Sequence, residues 1–417
     1  MSRLVQAAAP ARQRAPPANP EAAAPLGYTG VRACRRIEEV PEAEWDSVVA
    51  RDELQLRHAF VRACQDAGVA DAEYRHLTVY REGMLVGIAS VFRMDVRLEL
   101  LCPGFLRSVI EAFRRWRPSF LRPTLLMCGL PVSAGRPCIA FRAPADAPFV
   151  IRAVAEYMEQ ASVELGARLL CFKEFRPEES ELLSPLCEHG YFRACSLPAY
   201  RMALPWNSFA DYVAGMRTGY RRQVTVTLRA GRRAGFRTRI CPDPALEWEQ
   251  FFPLYEQVMD RARFQLERLN LAFFRNLARY LPGATRMIAI ERGDDLVAAA
   301  VLLETPGLTT FFMTGIDYER NRPGEAYPNL VTAVVEEAIR AGTGQLELGQ
   351  TSGALKSRLG AKPEERFIYF RYRTRWAHAL FRAAAPLLFP ASPGEARRVF
   401  RTGGQPGRSV RAKSSPT

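Results

Sequence analysis

Only four lysines stand against 54 arginines in this 417-residue sequence: Lys173, Lys356, Lys362 and Lys413. GC-rich coding explains the bias, and it makes lysines retained inside folded segments informative. An ammonium is a compact point charge, whereas a guanidinium is a flat fork. Lys356 lies in a Gly-rich turn, with Gln350, Thr351 and Ser352 just upstream. A positioned ammonium can stabilise the oxyanion that develops on an attacked carbonyl without acting as a base. Lys173 ends an apolar run, LLCFKEF. Strand C-terminal ends in α/β folds present ligand contacts; a salt bridge to Glu174 is the alternative. Lys362 reads as a solvated charge.

Two further segments suit anions. Residues 201–240 hold nine arginines and one acid, Asp211. On a helix these arginines cover more than one face, so some meet solvent. The same density suits a phosphate-bearing substrate, whose oxygens match the guanidinium fork. Arg221 and Arg222, with Tyr220 beside them, are the candidate substrate contacts. The run NRPGEA (Asn321 to Ala326) precedes a predicted helix at Tyr327. Gly324 allows close backbone approach, and a helix N-terminus favours an anion. Arg322 adds charge, and Pro323 removes one donor.

The elements that must position these residues form a repeat. Residues 76–92 and 287–303 both read as β-hairpins with alternating apolar residues, turning at Glu82-Gly83 and Arg292-Gly293-Asp294. An apolar strand follows in each half (Thr124 to Gly129; Thr309 to Gly315). Then come a helix (Phe149 to Leu165; Tyr327 to Ala341) and another strand (Arg168 to Phe172; Gln345 to Leu348). Each half closes on a Gly-containing segment and a last strand, Cys187 to Leu204 and Leu359 to Arg373, and each opens on helical material, Glu42 to Ala67 and Phe209 to Leu281. A capped helix start at Ser208, after Pro205 and Asn207, marks the boundary. The expectation is a mixed α/β fold present twice, over 27–205 and 206–390. Residues 1–26 read as a disordered Ala/Pro/Arg arm and 391–417 as a similar tail.

Composition bounds the rest. Apolar residues make up 48% and charged residues 24%, which excludes a mainly disordered chain, a collagen-like fibre and a disulfide miniprotein. No long uncharged apolar run suggests a spanning helix, and the first residues lack a compact apolar signal core. Nine cysteines, an odd number without a CxxC pair, fit free thiols in a reducing cytoplasm. Cys187 and His189 read as local packing, so no metal is expected. No Ser-His-Asp order and no Walker loop is present. A net charge of +14 favours anionic partners.

Three stretches carry a resemblance. SFADYVAGMRTGYRRQVTVTLRAGRRAGF (208–236) is similar to an acidic/aromatic helix followed by a dense Arg stretch in the FemAB-like family. GIDYERNRPGEAYPNLVTAVVEEAIRAG (315–342) is similar to that family's strand–loop–helix. LELGQTSGALKSRLGAK (346–362) is similar to its Gly-containing turn with a Lys before a second Gly. The chain thus resembles tandem GNAT acyltransferases over about residues 35–375, and the family's better-known members add amino acids to peptidoglycan precursors. The resemblance implies two GNAT-like domains sharing a cleft, the second being the active half. It implies that Lys356 contacts the attacked carbonyl and that Asn321, Arg322, Gly324 and Ala326 stand where GNAT domains hold the cofactor pyrophosphate. It also places the Arg stretch beside the cleft.

The expected function is N-acyl transfer to an amine acceptor, with a cell-envelope or lipid-linked precursor as the finer expectation. The donor is acyl-coenzyme A, such as acetyl-coenzyme A, or an aminoacyl-tRNA. Catalytic candidates are Lys356 and Tyr327, the phenol serving either as acid or as packing. Substrate candidates are Arg221, Arg222, Tyr220, Lys173 and Gln350. Glu256, Asp260, Glu304 and Asp317 are candidate bases by location only. Residues 97–123, apolar with six arginines, read as a basic amphipathic insertion, and Trp376 to Phe389 has a similar character. Both suggest contact with an anionic membrane at its cytoplasmic face. The alternative is a non-catalytic ligand-recognition protein that keeps the fold.

Overall fold

The computed structural model describes residues 27–95, 123–132, 135–262, 268–321, 325–391 and 394–401. The first half runs β1 (Gly30–Cys34), α1 (Glu42–Asp46), α2 (His58–Asp66), β2 (Glu73–Arg81), β3 (Met84–Asp95), β4 (Thr124–Cys128) and β5 (Ile139–Phe141). It continues with α3 (Ala147–Glu164), β6 (Leu169–Phe175), α4 (Ser184–Glu188) and β7 (Phe192–Ala203). The second half begins with α5 (Phe209–Gly215), α6 (Thr218–Arg233), β8 (Phe236–Cys241), α7 (Trp248–Arg261) and α8 (Leu271–Tyr280). Then follow β9 (Thr285–Arg292), β10 (Asp295–Thr305), β11 (Leu308–Ile316), α9 (Ala326–Arg340) and β12 (Gln345–Glu347). It ends with α10 (Gly353–Arg358), β13 (Lys362–Tyr372) and α11 (Arg375–Leu388). The insertion read over 97–123 lies, but for its last residue, outside the described residues.

Local chemistry accounts for the elements that recur. The β2–β3 hairpin turns on Glu82 and Gly83, both at positive φ (53° and 81°), as a tight primed turn requires. Helix α5 starts where Ser208 Oγ accepts the Asp211 N–H at 3.1 Å. Helix α3 buries Val150, Ile151, Val154, Ala155 and Met158, a helical spacing that makes one apolar face. Every residue from Leu296 to Leu303 in β10 is buried, as befits a strand covered on both faces.

Three strands depart from the sequence reading. The first half opens on β1, ahead of its helical segment, and β5 adds a short pairing to β3. Residues 236–241, inside a stretch expected to be helical, form β8 at the sheet edge beside β9. Their exposed Arg237, Thr238 and Ile240 mask the alternation. Residues 394–401, in the stretch expected to have little to bury, pack on the second half. Phe400 lies 4.5 Å from the Trp206 ring, and the Arg217 N–H donates to the Val399 carbonyl.

The two halves build one mixed sheet, ordered β1-β2-β3-β4-β6-β13-β7-β12-β11-β10-β9-β8. The closing strands are exchanged. β13, from the second half, pairs with β6 of the first, and β7, from the first half, pairs with β12 of the second. β13 and β7 then pair with each other across the seam. Each half contributes one parallel pair, β4 with β6 and β11 with β12.

Helix α7 lies close on β11. A Cβ at Gly315 would stand 2.8 Å from Leu254 Cβ and 2.9 Å from the Tyr255 backbone nitrogen. Backbone cannot yield as a side-chain tip can, so the helix itself would have to move. Gly315→Val should destabilise the fold by about 1–3 kcal/mol. Urea unfolding checks this: a midpoint equal to that of the parent would show that α7 is free to shift.

Candidate functional site

Strands β11 and β12 are parallel neighbours only over Leu308–Thr310 and Gln345–Glu347. β12 stops there while β11 continues to Ile316, so the strands part. The chain leaving β12 turns through Gly349 (φ 72°) and Ser352 (φ 58°) into the short helix α10. That turn brings Lys356 back to the opening. Its side chain is buried, with Nζ 5.8 Å from the centroid of the Phe311 ring on β11. Among the described residues no carboxylate pairs with it. Burial alone brings its pKa down from 10.5 to about 7.

Helix α9 starts on the other side of the opening. Asn321 Oδ1 accepts the Tyr327 N–H at 3.3 Å, so the asparagine side chain caps the helix. Glu325 takes the left-handed conformation (φ 52°), and Ala326 is fully buried. Burial raises the Tyr327 phenol pKa, partly offset by the neighbouring Ser352 side chain. Ser352 therefore links Tyr327 to the turn that carries Lys356. Arg322 and Gly324 lie outside the described residues. In the part described, Asn321 already occupies the Tyr327 N–H and Pro328 has none to offer. A pyrophosphate would meet fewer backbone donors here than at an uncapped helix start.

The remaining candidates fall into two groups. Gln350 faces the first half, and its Nε2 donates to Glu174 Oε2 at 2.9 Å and to the Leu197 carbonyl at 2.8 Å. Lys173 is buried in β6 with its stem against Gly129, beside Cys138 and Cys171. Its neighbour Glu174 is buried at φ 72°, and desolvation raises its pKa. Arg221, Arg222 and Tyr220 lie in the first turns of α6. Tyr220 and Arg221 are half-buried, and Arg222 is exposed. No hydrogen bond or ion pair joins these three to Lys356 among the described residues.

Most of the acids nominated as bases have other work. Asp317 accepts two backbone N–H groups at 3.0 Å and the Arg320 guanidinium at 2.8 Å, which together outweigh burial and lower its pKa. Glu304 pairs with Arg286, and Asp260 with Arg268.

Sequence reasoning missed the charged seam behind the turn. Arg136, in the segment after β4, donates through Nε to Glu347 Oε2 at 3.0 Å and through Nη1 to Glu53 at 2.6 Å. Its Nη2 approaches Glu347 at 2.9 Å but is not aligned for a hydrogen bond. Burial would lower the Arg136 pKa; the charges of Glu347 and Glu53 more than reverse that. Glu347 is the last residue of β12, so a first-half arginine fixes the point from which the Lys356 turn departs. Arg366, also buried, donates to the Gly135 carbonyl at 3.1 Å and braces the same seam.

Comparison with known proteins agrees with this geometry. The family profile of an acetyltransferase (GNAT) domain matches residues 218–357, from the start of α6 through Lys356. No curated protein sequence matches the chain. Among solved structures, FemX superposes with a TM-score of 0.52 at 12% identity, over 82% of this chain and 98% of FemX. The C-terminal domain (DUF2156) of a protein assigned as a lysylphosphatidylglycerol synthetase, from Agrobacterium fabrum, superposes with a TM-score of 0.50 at 14% identity. That match covers 85% of this chain and 98% of the domain. At such identities the likeness is one of fold. Residues 218–357 therefore match the GNAT acetyltransferase-domain family, and the chain that carries them has a FemX-like fold.

Proposed function

We propose that the protein forms an amide by passing an acyl or aminoacyl group to an amine at the parting of β11 and β12. One observation carries this reading: Lys356 is a buried ammonium without a carboxylate partner among the described residues, held where the strands separate. In the reaction the amine nitrogen bonds to the acyl carbon, and the carbonyl oxygen gains negative charge. The carbon–sulfur or carbon–oxygen bond to the donor then breaks, and the amine proton leaves to the departing group or to water. An uncompensated cation beside that oxygen lowers the barrier, because negative charge appears where positive charge has none to answer it. The Tyr327 phenol borders the same turn.

The finer reading takes acyl-coenzyme A or an aminoacyl-tRNA as donor and a cell-envelope or lipid-linked amine as acceptor. Arg221, Arg222 and Tyr220 would meet the phosphate-bearing partner, and the Asn321–Ala326 loop the pyrophosphate of a thioester donor. Titration calorimetry with coenzyme A and acetyl-coenzyme A tests the donor, beside a Gly324→Trp variant. Micromolar binding that disappears in the variant is expected. Absence of binding in the parent protein would sink the thioester donor and leave the aminoacyl ester. The capped start of α9 favours a second reading, ligand recognition without transfer. That reading requires binding to persist with no amide product from any amine.

A further inference from the structure

Helix α11 lies against β13 and β7. Phe381 and Ala385 are buried there, and the Phe381 ring meets Phe192 and Phe370 at 5.6 and 5.3 Å. Its opposite side is apolar too. Trp376, Leu380 and Leu387 are 73%, 64% and 65% exposed. At 3.6 residues per turn they fall in one stripe roughly 40° wide, with Ala383 about 20° beyond its edge. Exposed Arg375 and Arg382 lie on one flank of the helix, roughly 100° or more round from the stripe, and neither is ion-paired among the described residues. Residues 375–390 contain no acid.

We propose that this stripe is a docking face for an anionic phospholipid bilayer. The chemistry matches group by group. An indole and two leucines enter the boundary between headgroups and acyl chains, and the long guanidinium side chains on the helix flank reach toward lipid phosphates. Trp is the side chain most at home at that boundary. A protein partner fits less well, because a stable interface uses about 20–30 residues a side and this stripe presents a handful. The charge of the whole chain, +14, draws it toward a negative surface. The inference goes beyond acyl transfer and does not depend on it.

Cosedimentation of the full-length protein with vesicles tests it. One set holds equal parts phosphatidylglycerol and phosphatidylcholine, the other phosphatidylcholine alone. The parent should bind the anionic vesicles, release from them as salt is raised, and bind the neutral ones poorly. The double variant Trp376→Glu/Leu380→Glu should lose at least about thirtyfold in partitioning. Leu246→Glu, an equally surface-lying leucine 89% exposed on another element, should bind like the parent. Circular dichroism establishes that the variants are folded. Equal binding by the double variant and the parent would overturn the proposal. So would binding lost only in Arg229→Glu/Arg232→Glu, which would move the contact to α6. A dimer of the parent that the double variant dissolves, without vesicle binding by either, would assign the stripe to a second copy of the chain.

Discussion

Lys356→Met should make the protein more stable and sharply slow amide formation. The drop in the lysine's pKa from 10.5 to about 7 sets the cost of holding its charge inside the fold. That cost is at most about 5 kcal/mol. Methionine has similar length and no charge, so it fills the space without the penalty. The pH dependence has a definite sign. Below pH 7 the lysine is protonated in both folded and unfolded chains, and the full penalty applies. Between pH 7 and 10.5 the unfolded chain binds the extra proton, so the parent gains stability as pH rises. The advantage of the methionine variant should therefore be largest near neutrality and fade toward pH 10.5. Chemical denaturation at several pH values measures it. Turnover should fall by about 10²–10³, the loss seen when one oxyanion donor is removed. A variant less stable than the parent at pH 7 would show that Lys356 holds the structure together. A stability gain with transfer intact would remove the lysine from the chemistry.

Arg136→Met should act in the opposite direction on stability. It leaves buried Glu347 with only the Arg201 guanidinium, 4.0 Å away, and deprives Glu53 of its partner. Stranding a buried charge costs about 3–5 kcal/mol. Adding Glu347→Gln should recover part of the loss, because the stranded charge is then gone. A double-mutant cycle by urea unfolding isolates the coupling. Additive losses would mean that the two side chains share a region without depending on each other. The same arginine joins the halves, since it belongs to the first and its partner ends β12 of the second. Its loss should therefore also loosen the turn that presents Lys356 and raise the lysine's reactivity toward amine reagents at neutral pH.

Much of the fold was legible because it rests on local signals. The hairpins show alternation broken by Glu82-Gly83 and Gly293-Asp294, and α3 and α9 show continuous apolar faces after small-residue turns. Lys356 stood out because lysine is rare in this chain, and Tyr327 and Asn321 because they flank a helix start. Other features leave no local trace. β8 is an edge strand with arginine and threonine facing solvent, so it follows a basic helix without a change in character. Pairing partners such as β13 with β6 are decided by the whole sheet, and periodicity within a strand does not encode its neighbour. Arg136 was hidden by composition: nothing in the sequence sets it apart among 54 arginines, and its burial, shared with Arg75 and Arg366, shows only in the fold. Gln350 reads as a substrate contact from its place before the lysine. Its bonds to Glu174 and Leu197 are set by the other half and could not be read from the turn itself.

The exchange of β7 and β13 bears on how the chain is made. Strand β6 gains its neighbour β13 only after residue 372, so an emerging polypeptide must be made through β13 before the first half can close. Until then β6 presents an open edge, the kind of surface on which unfinished chains aggregate. Pairings this distant in sequence also form slowly. Synthesis of residues 27–205 alone should yield a fragment that is insoluble or chaperone-bound, and supplying 206–401 in the same cell should rescue it.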